Sequence, residues 1–243
     1  MRIVGIIPAR YGSTRFPGKP LVEIGGMSMV MRVVQQARKC LLLADVVVAT
    51  DDERIFQHVL EHGGKAVMTA PDHPSGTDRC LEALNLLEGG ADAVINIQGD
   101  EPFVDPGQLE SLCMLLERKG VEIATLAIRI QTLEVLDDPN KVKVIFNPIG
   151  RAIYFSRLPI PFLKGVKSEE RLSQHSFFKH VGLYAFNAEV LRHICTLQPS
   201  PLELAESLEQ LRWLEAGYSI HVVETTIETP AIDTPEDLKY IQS

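Results

Sequence analysis

The chain has 243 residues, 45% hydrophobic and 23% charged, proportions ordinary for a globular α/β protein. Its formal net charge of −8 excludes a generic nucleic-acid binder, which needs a broad basic face to recruit phosphates. The four cysteines are widely spaced and form no Cys-x-x-Cys pair, which argues against a zinc site and for a reducing, cytoplasmic setting.

The first apolar run, 3–7, is too brief for a signal-peptide core and reads as a buried strand. A later run, 41–48, is broken by Asp45, so no membrane segment is expected. The stretch after the first strand carries three cations between Gly5 and Val22, Arg10, Arg15 and Lys19, and no anion. Gly12 and Gly18 let this loop turn tightly, while Pro8, Pro17 and Pro20 stiffen it. At the carboxyl end of a parallel strand, such a loop can hold a polyphosphate.

Helical spacing of Met29, Val30, Val33, Val34 and Ala37 predicts a helix over 29–40, with Gly25-Gly26 exposing its first N–H groups. A β-branched run at 46–50 predicts the second strand. Asp51-Asp52 then caps a helix through Ile55, Val59 and Leu60, closed by Gly63-Gly64. A weaker strand follows at 66–69, and Thr77 is the expected cap of a helix over 78–87. The fourth strand, 93–97, runs into Gln98-Gly99-Asp100-Glu101-Pro102, and Pro106 opens a helix that Gly120 stops. This alternation predicts an α/β fold with a doubly wound, mostly parallel sheet.

After residue 122 the pattern changes. A strand at 123–130 is followed by two runs, 141–146 and 151–155, that pair as a hairpin across Asn147-Pro148-Ile149-Gly150. Residues 158–174 read as a long, mobile loop. A strand at 181–186, a helix at 202–214, a last strand at 220–223 and a helix begun by Pro235 complete the chain. No linker or repeat interrupts it, so one domain over 1–243 with a small β excursion is expected.

Two carboxylates stand out as carriers of chemistry. Asp100 follows the fourth strand and Asp233 lies between a late strand and a helix. Hard oxygen ligands of this kind suit Mg²⁺, which takes one or two carboxylates and completes its shell with phosphate and water. Other constellations fail. His58 and His62 lack the adjacent glutamate of a zinc-protease helix, and no G-x-S-x-G, Walker A or G-x-G-x-x-G sequence is present.

The run Pro8-Ala9-Arg10-Tyr11-Gly12-Ser13-Thr14-Arg15-Phe16-Pro17-Gly18-Lys19-Pro20-Leu21 resembles the opening signature of the 3-deoxy-manno-octulosonate (Kdo) cytidylyltransferases. The resemblance continues through Val48-Ala49-Thr50-Asp51, Ser75-Gly76-Thr77-Asp78-Arg79 and Gln98-Gly99-Asp100-Glu101-Pro102. It extends to Tyr154-Phe155-Ser156-Arg157, His180-Val181-Gly182-Leu183-Tyr184, Leu208-Glu209-Gln210-Leu211-Arg212 and Asp233-Thr234-Pro235-Glu236-Asp237.

The resemblance implies a nucleotidyltransferase that makes CMP-Kdo and pyrophosphate from CTP and Kdo, for lipopolysaccharide synthesis. It implies that Arg10, Ser13, Arg15 and Lys19 hold phosphates, with backbone at Pro8 and Ala9 reading cytosine. Lys19, Asp100 and Arg15 are then the catalytic candidates. Gly76, Thr77 and Arg79 fix the nucleoside, and Asp100 with Asp233 carries Mg²⁺. Gln98, Arg157, His180, Tyr184, Glu209 and Gln210 receive the acid sugar, with Arg157 as a two-point fork for its carboxylate. The excursion over 141–184 is similar to the family's dimer-forming arm, so a homodimer is implied. Two rivals remain open at this point: a sister enzyme for a sialic-type acid, and a catalytically silent nucleotide-binding subunit.

Overall fold

The computed structural model describes residues 1–12, 16–230, 232 and 234–241. The first strand, β1 (Ile3–Ala9), is buried almost throughout, as a continuous apolar run must be when both sheet faces are covered. A single 3₁₀ turn at Lys19–Leu21 closes the basic loop. β2 (Glu23–Ile24) and β3 (Met27–Ser28) then form a small hairpin across Gly25-Gly26. Both glycines have positive φ, +56° and +78°, which a two-residue primed turn requires. The glycine pair therefore turns a hairpin and does not open the helix; α1 (Met29–Ala37) begins after Ser28.

The alternation then runs as expected: β4 (Asp45–Thr50), α2 (Glu53–Glu61), β5 (Ala66–Met68), α3 (Gly76–Leu86), β6 (Ala93–Asn96) and α4 (Pro106–Leu116). Asp52 and Asp105 cap α2 and α4 by accepting backbone N–H bonds from Arg54 and Gln108. The cap of α3 is Ser75, two residues before the expected Thr77. Thr77 donates its hydroxyl to Glu209 instead.

The second half contains β7 (Ile123–Arg129), a short α5 (Leu133–Asp137), and the expected hairpin of β8 (Lys143–Phe146) with β9 (Ala152–Ser156). Residues 158–174 do not form the loose loop expected of them. A 3₁₀ turn at Ser168–Glu170 runs into α6 (Arg171–Gln174), while Leu163 and Leu172 pack against Ile130, Leu136 and Phe177. Arg171 also pairs with Asp137 at 2.7 Å. The apolar anchors are few but lie opposite a ready-made cluster, which local pattern does not reveal.

β10 (Phe178–Asn187) is longer than predicted, and α7 (Ala188–Ile194) follows it directly. The helix expected over 202–214 is two helices, α8 (Pro201–Glu206) and α9 (Gln210–Glu215). Ser207 breaks them with a left-handed backbone, φ +51°. Arg157 donates to the carbonyls of Glu206 and Ser207, acceptors that a continuous helix would have used for itself. β11 (Ile220–Thr225) and α10 (Pro235–Ile241) close the chain.

The main sheet has the order β11-β7-β10-β6-β1-β4-β5, with the β8–β9 hairpin joined to β10. Only β10 runs against its neighbours in this series; the other pairings are parallel. One face is covered by α1, α2 and α4 over Ile7, Ile95 and Leu126. The other is covered by α3, α7 and α9 over Ile6, Val94 and Phe186. Trp213 of α9 is fully buried and meets Tyr184 and Phe186 edge-on, which seats α9 firmly on the sheet. The carboxyl ends of β1, β4, β5 and β6 open on one edge, the usual place for ligand in such a sheet.

Candidate active site

The basic loop is held at both ends. The Gly18 N–H donates to the Tyr11 carbonyl at 2.9 Å, and Gly18 has φ +72° with the Tyr11 ring against it. A side chain at position 18 would be strained in that backbone and would meet the ring. Lys19 therefore leaves the loop in a fixed direction. Its Nζ donates to Asp100 Oδ2 and to the Ile232 carbonyl, both at 2.9 Å. The Ile232 N–H returns to the Asp100 carbonyl, also at 2.9 Å. Three distant parts of the chain thus meet at one point: the basic loop, the end of β6 and the approach to α10.

Asp100 is the hard-oxygen candidate at that point. Among the described residues no cluster of three or more His, Cys, Asp or Glu side chains could cage a metal by itself. A partly exposed carboxylate beside a basic loop is chemically compatible with Mg²⁺, an ion that can take its other ligands from phosphate and water. Ser13, Arg15 and Asp233 lie outside the described residues. Next to Asp100, burial and its neighbour's charge push the Glu101 carboxyl up to about 7.

The nucleoside candidates gather around the start of α3. Gly76 lies between Pro8 of β1 and Asn96 of β6. Gly99 crosses β1 so closely that a Cβ there would stand 2.7 Å from the Pro8 carbonyl oxygen. Arg10 donates to the His73 carbonyl, and His73 pairs with Glu82. Arg79 is wholly buried, 3.5 Å from Asp51 and bonded to the Thr69 hydroxyl.

The sugar candidates occupy the next part of the edge. Glu209 accepts from Ser75 Oγ at 3.0 Å and from Thr77 Oγ1 at 2.8 Å. Ser75 Oγ also lies 2.7 Å from Asp78 Oδ2, with only one proton to share between the two carboxylates. Burial raises the Glu209 carboxyl above its ordinary range. Glu209 therefore ties α9 to the loop that opens α3, linking the sugar side to the nucleoside side. Gln98 donates to the Gly182 carbonyl at 3.1 Å, and Gln210 is buried at the start of α9.

His180 lies 2.9 Å from Thr125 Oγ1, its ring against Phe155 and Tyr184. Burial holds its imidazole down at about 3, so the ring is neutral in the folded protein near pH 7. The unfolded chain takes up a proton near pH 6.5 that the folded chain refuses until far lower pH. Stability is thus lost as pH falls below the unfolded value. From pH 6.5 to 5 the loss is expected to reach about 2 kcal/mol. Denaturant unfolding across that range should show this slope in the parent and its absence in His180→Gln.

Arg157 stands at the wall of this region but its guanidinium faces the backbone. Nε, Nη1 and Nη2 donate to the carbonyls of Glu206, Pro139 and Ser207, and its own N–H donates to Glu206 Oε2. The side chain expected to grip a carboxylate braces the α8–α9 break. A cleft of about 1240 Å³ opens beside His180 and Glu101. It also carries Lys141, Lys179 and Asn140, none of which the sequence reading selected. Asn96 was likewise missed, although a single amide in the otherwise apolar strand Ala93-Val94-Ile95-Asn96-Ile97 was a usable signal.

A cytidylyltransferase family model matches residues 4–224. The chain is 55% identical over 237 residues to a 3-deoxy-manno-octulosonate cytidylyltransferase of Cytophaga hutchinsonii, covering 97% of this chain and 94% of the relative. The chain belongs to the cytidylyltransferase family. A relative of the same description from Bacteroides thetaiotaomicron is 51% identical, with 100% and 97% covered. A solved CMP:2-keto-3-deoxy-manno-octonic acid synthetase complexed with CTP superposes with a TM-score of 0.92 at 42% identity, covering 100% of this chain and 97% of the other. The enzyme is a nucleotidyltransferase, and its fold is the mixed, mostly parallel α/β sheet of that group.

Proposed function

We propose that the enzyme joins CTP and Kdo to give CMP-Kdo and pyrophosphate, in the cytoplasm, for lipopolysaccharide synthesis. The observation that carries this reading is the meeting of Lys19, Asp100 and the Ile232 carbonyl at the carboxyl end of β6, beside the basic loop. The sugar's anomeric oxygen would bond to the α-phosphorus while the bond to the β-phosphate oxygen breaks and pyrophosphate departs. Such a transfer needs positioning and charge neutralisation more than covalent help. Lys19, Arg10 and Arg15 would hold the triphosphate and oppose the charge growing on the leaving pyrophosphate. Mg²⁺, held by Asp100 and Asp233, would supply further neutralisation and favour ionisation of the attacking hydroxyl. Gly76 and Thr77 would seat the nucleoside, and Gln98, His180, Tyr184, Glu209 and Gln210 the acid sugar. The four unpaired thiols suit a reducing compartment, and no helix among the described residues is long and apolar enough to cross a membrane.

The test is pyrophosphate release from CTP and Mg²⁺ with Kdo, with a sialic acid, or with no acceptor. Release with Kdo alone is expected. Release with the sialic acid would overturn the choice of sugar, and binding of CTP without any release would favour the silent subunit.

The reading extends to a homodimer formed through the β8–β9 excursion. Ile153, Leu158, Phe162 and Leu204 stand exposed on or beside it, Phe162 at 86%. Large apolar side chains left exposed around one hairpin are the kind of surface that an interface covers. Phe162→Asp is expected to shift the enzyme from dimer to monomer in analytical ultracentrifugation. A parent protein that sediments as a monomer at micromolar concentration would refute the assembly.

A further inference from the structure

After β11 the chain runs through 226–230 with no helix or strand to hold it. It leads to Ile232, whose carbonyl accepts from Lys19 Nζ and whose N–H donates to the Asp100 carbonyl. The placing of two catalytic candidates therefore depends on a segment without a hydrogen-bonded ladder of its own. Side chains supply what the ladder does not. Lys179 of β10 pairs with Glu228, and the Thr229 side chain bonds to the Glu101 carboxyl. Pro230 fixes its own φ and restricts Thr229 before it, so these tethers act on a stiff piece of chain.

The first tether comes from the core. Gln108 of α4 is 2% exposed, on a helix whose other buried residues are Leu109, Leu112, Cys113, Leu115 and Leu116. It stands three residues after the N-cap Asp105, where a glutamine can reach back to the N-cap's own N–H. Here Nε2 instead donates to the Ile227 carbonyl at 2.8 Å, with Thr225 Oγ1 at 3.4 Å. Its Oε1 is buried without a partner among the described residues. A buried amide oxygen left unbonded costs stability at a position where leucine would pack. Stability alone does not account for the glutamine, whereas its hold on Ile227 does.

We propose that Gln108 is a positioning residue for the transfer: by holding Ile227 it keeps 226–230 seated, and with it the Ile232 carbonyl that aims Lys19. The inference rests on the reading of Lys19 and Asp100 as groups of the nucleotidyl-transfer site. Gln108 lies in the core beneath the segment, and Glu101, Lys179, Glu228 and Thr229 line the cleft beside it. A substitution at 108 therefore alters the seating of the segment and leaves the lining side chains in place.

The test is Gln108→Met, which keeps the length and helix preference of the side chain but has no donor. Because the orphaned oxygen leaves together with the bond, the urea midpoint is expected to hold. In hydrogen–deuterium exchange, the peptide containing Ile232 is expected to exchange at least about fivefold faster, the loss of one hydrogen bond. With CTP, Mg²⁺ and Kdo, kcat is expected to fall at least about fivefold while the KM for Kdo stays within about twofold. In a Lys19→Ala background the same substitution is expected to change kcat by less than about twofold, because the residue it aims is gone. A helix that had merely lost packing would lower kcat equally in both backgrounds, and equal losses would overturn the proposal. Parental exchange at Ile232, or parental kcat, would do so as well. Should Gln108→Met not fold, Gln108→Asn, with its amide one methylene too short, carries the same expectations. A parent that releases no pyrophosphate with Kdo would remove the underlying reaction, while exchange at Ile232 still decides whether Gln108 seats the segment.

Discussion

Asp100→Asn is expected to lower turnover at least about a hundredfold at saturating CTP and Kdo. The substitution keeps size and shape but removes the charge that pairs with Lys19 at 2.9 Å. Two consequences follow from that single change. Lys19 loses the anion that aims it, retaining the Ile232 carbonyl as an acceptor. The site also loses the carboxylate proposed to hold Mg²⁺, since an amide oxygen binds that ion far less well than a carboxylate. The fold should survive, because the Asp100 backbone carbonyl still accepts from the Ile232 N–H. The measurement is kcat together with the Mg²⁺ concentration for half-maximal rate. Both should change, while CTP affinity measured without Mg²⁺ moves only a few-fold. Near-normal turnover would remove Asp100 from the reaction. A large loss of CTP affinity in the absence of Mg²⁺ would make its first duty the placement of Lys19.

The sequence revealed most where local chemistry and topology agree. The buried run at 3–7, the capping Asp52 and the helix-opening Pro106 declare their elements within a few residues. Topology brings the candidate residues to one edge: Arg10 follows β1, Gln98 and Asp100 follow β6, and Gly76 is the first residue of α3. The roles of Gly76 and Gln98, however, came from the family resemblance and not from local pattern. What local pattern could not show depended on distant partners. The break at Ser207 needs Arg157, 50 residues away, to hold the carbonyls on either side of it. The ordering of 158–174 needs Phe177 and Leu136 as a surface to pack on. Arg157 itself illustrates the limit. Its residue type suits a carboxylate receptor, yet the backbone supplies acceptors first. Thr77 shows it again, since a hydroxyl at the start of a helix can cap it or, as here, reach Glu209 on another helix.

Arg79→Met is expected to destabilise the enzyme by about 3–5 kcal/mol, the usual result of removing one partner from a buried ion pair. Arg79 has no exposed surface and lies 3.5 Å from Asp51, whose side chain is 18% exposed. Burial draws the guanidinium's pKa below its ordinary value, while Asp51 pushes it back up. It nonetheless stays charged, as arginine does in proteins. Deleting it leaves the Asp51 charge without that partner and the Thr69 hydroxyl without its donor. Urea unfolding of the single variant and of Asp51→Asn/Arg79→Met separates charge from packing. If the stranded carboxylate is the main cost, the double variant should regain at least about half of the loss. Equal losses in both would assign the effect to the cavity alone. Arg79 also carries two buried N–H positions, Nε and Nη2, with no acceptor among the described residues. Donors left open beside the nucleoside loop are suited to a ligand's acceptor atoms, the role that the family resemblance gives to this residue. The double variant, restored in stability, should therefore still bind CTP about tenfold or more weakly, as expected when charged hydrogen bonds to a ligand are removed. Parent-like CTP affinity in that variant would leave Arg79 a structural cation only.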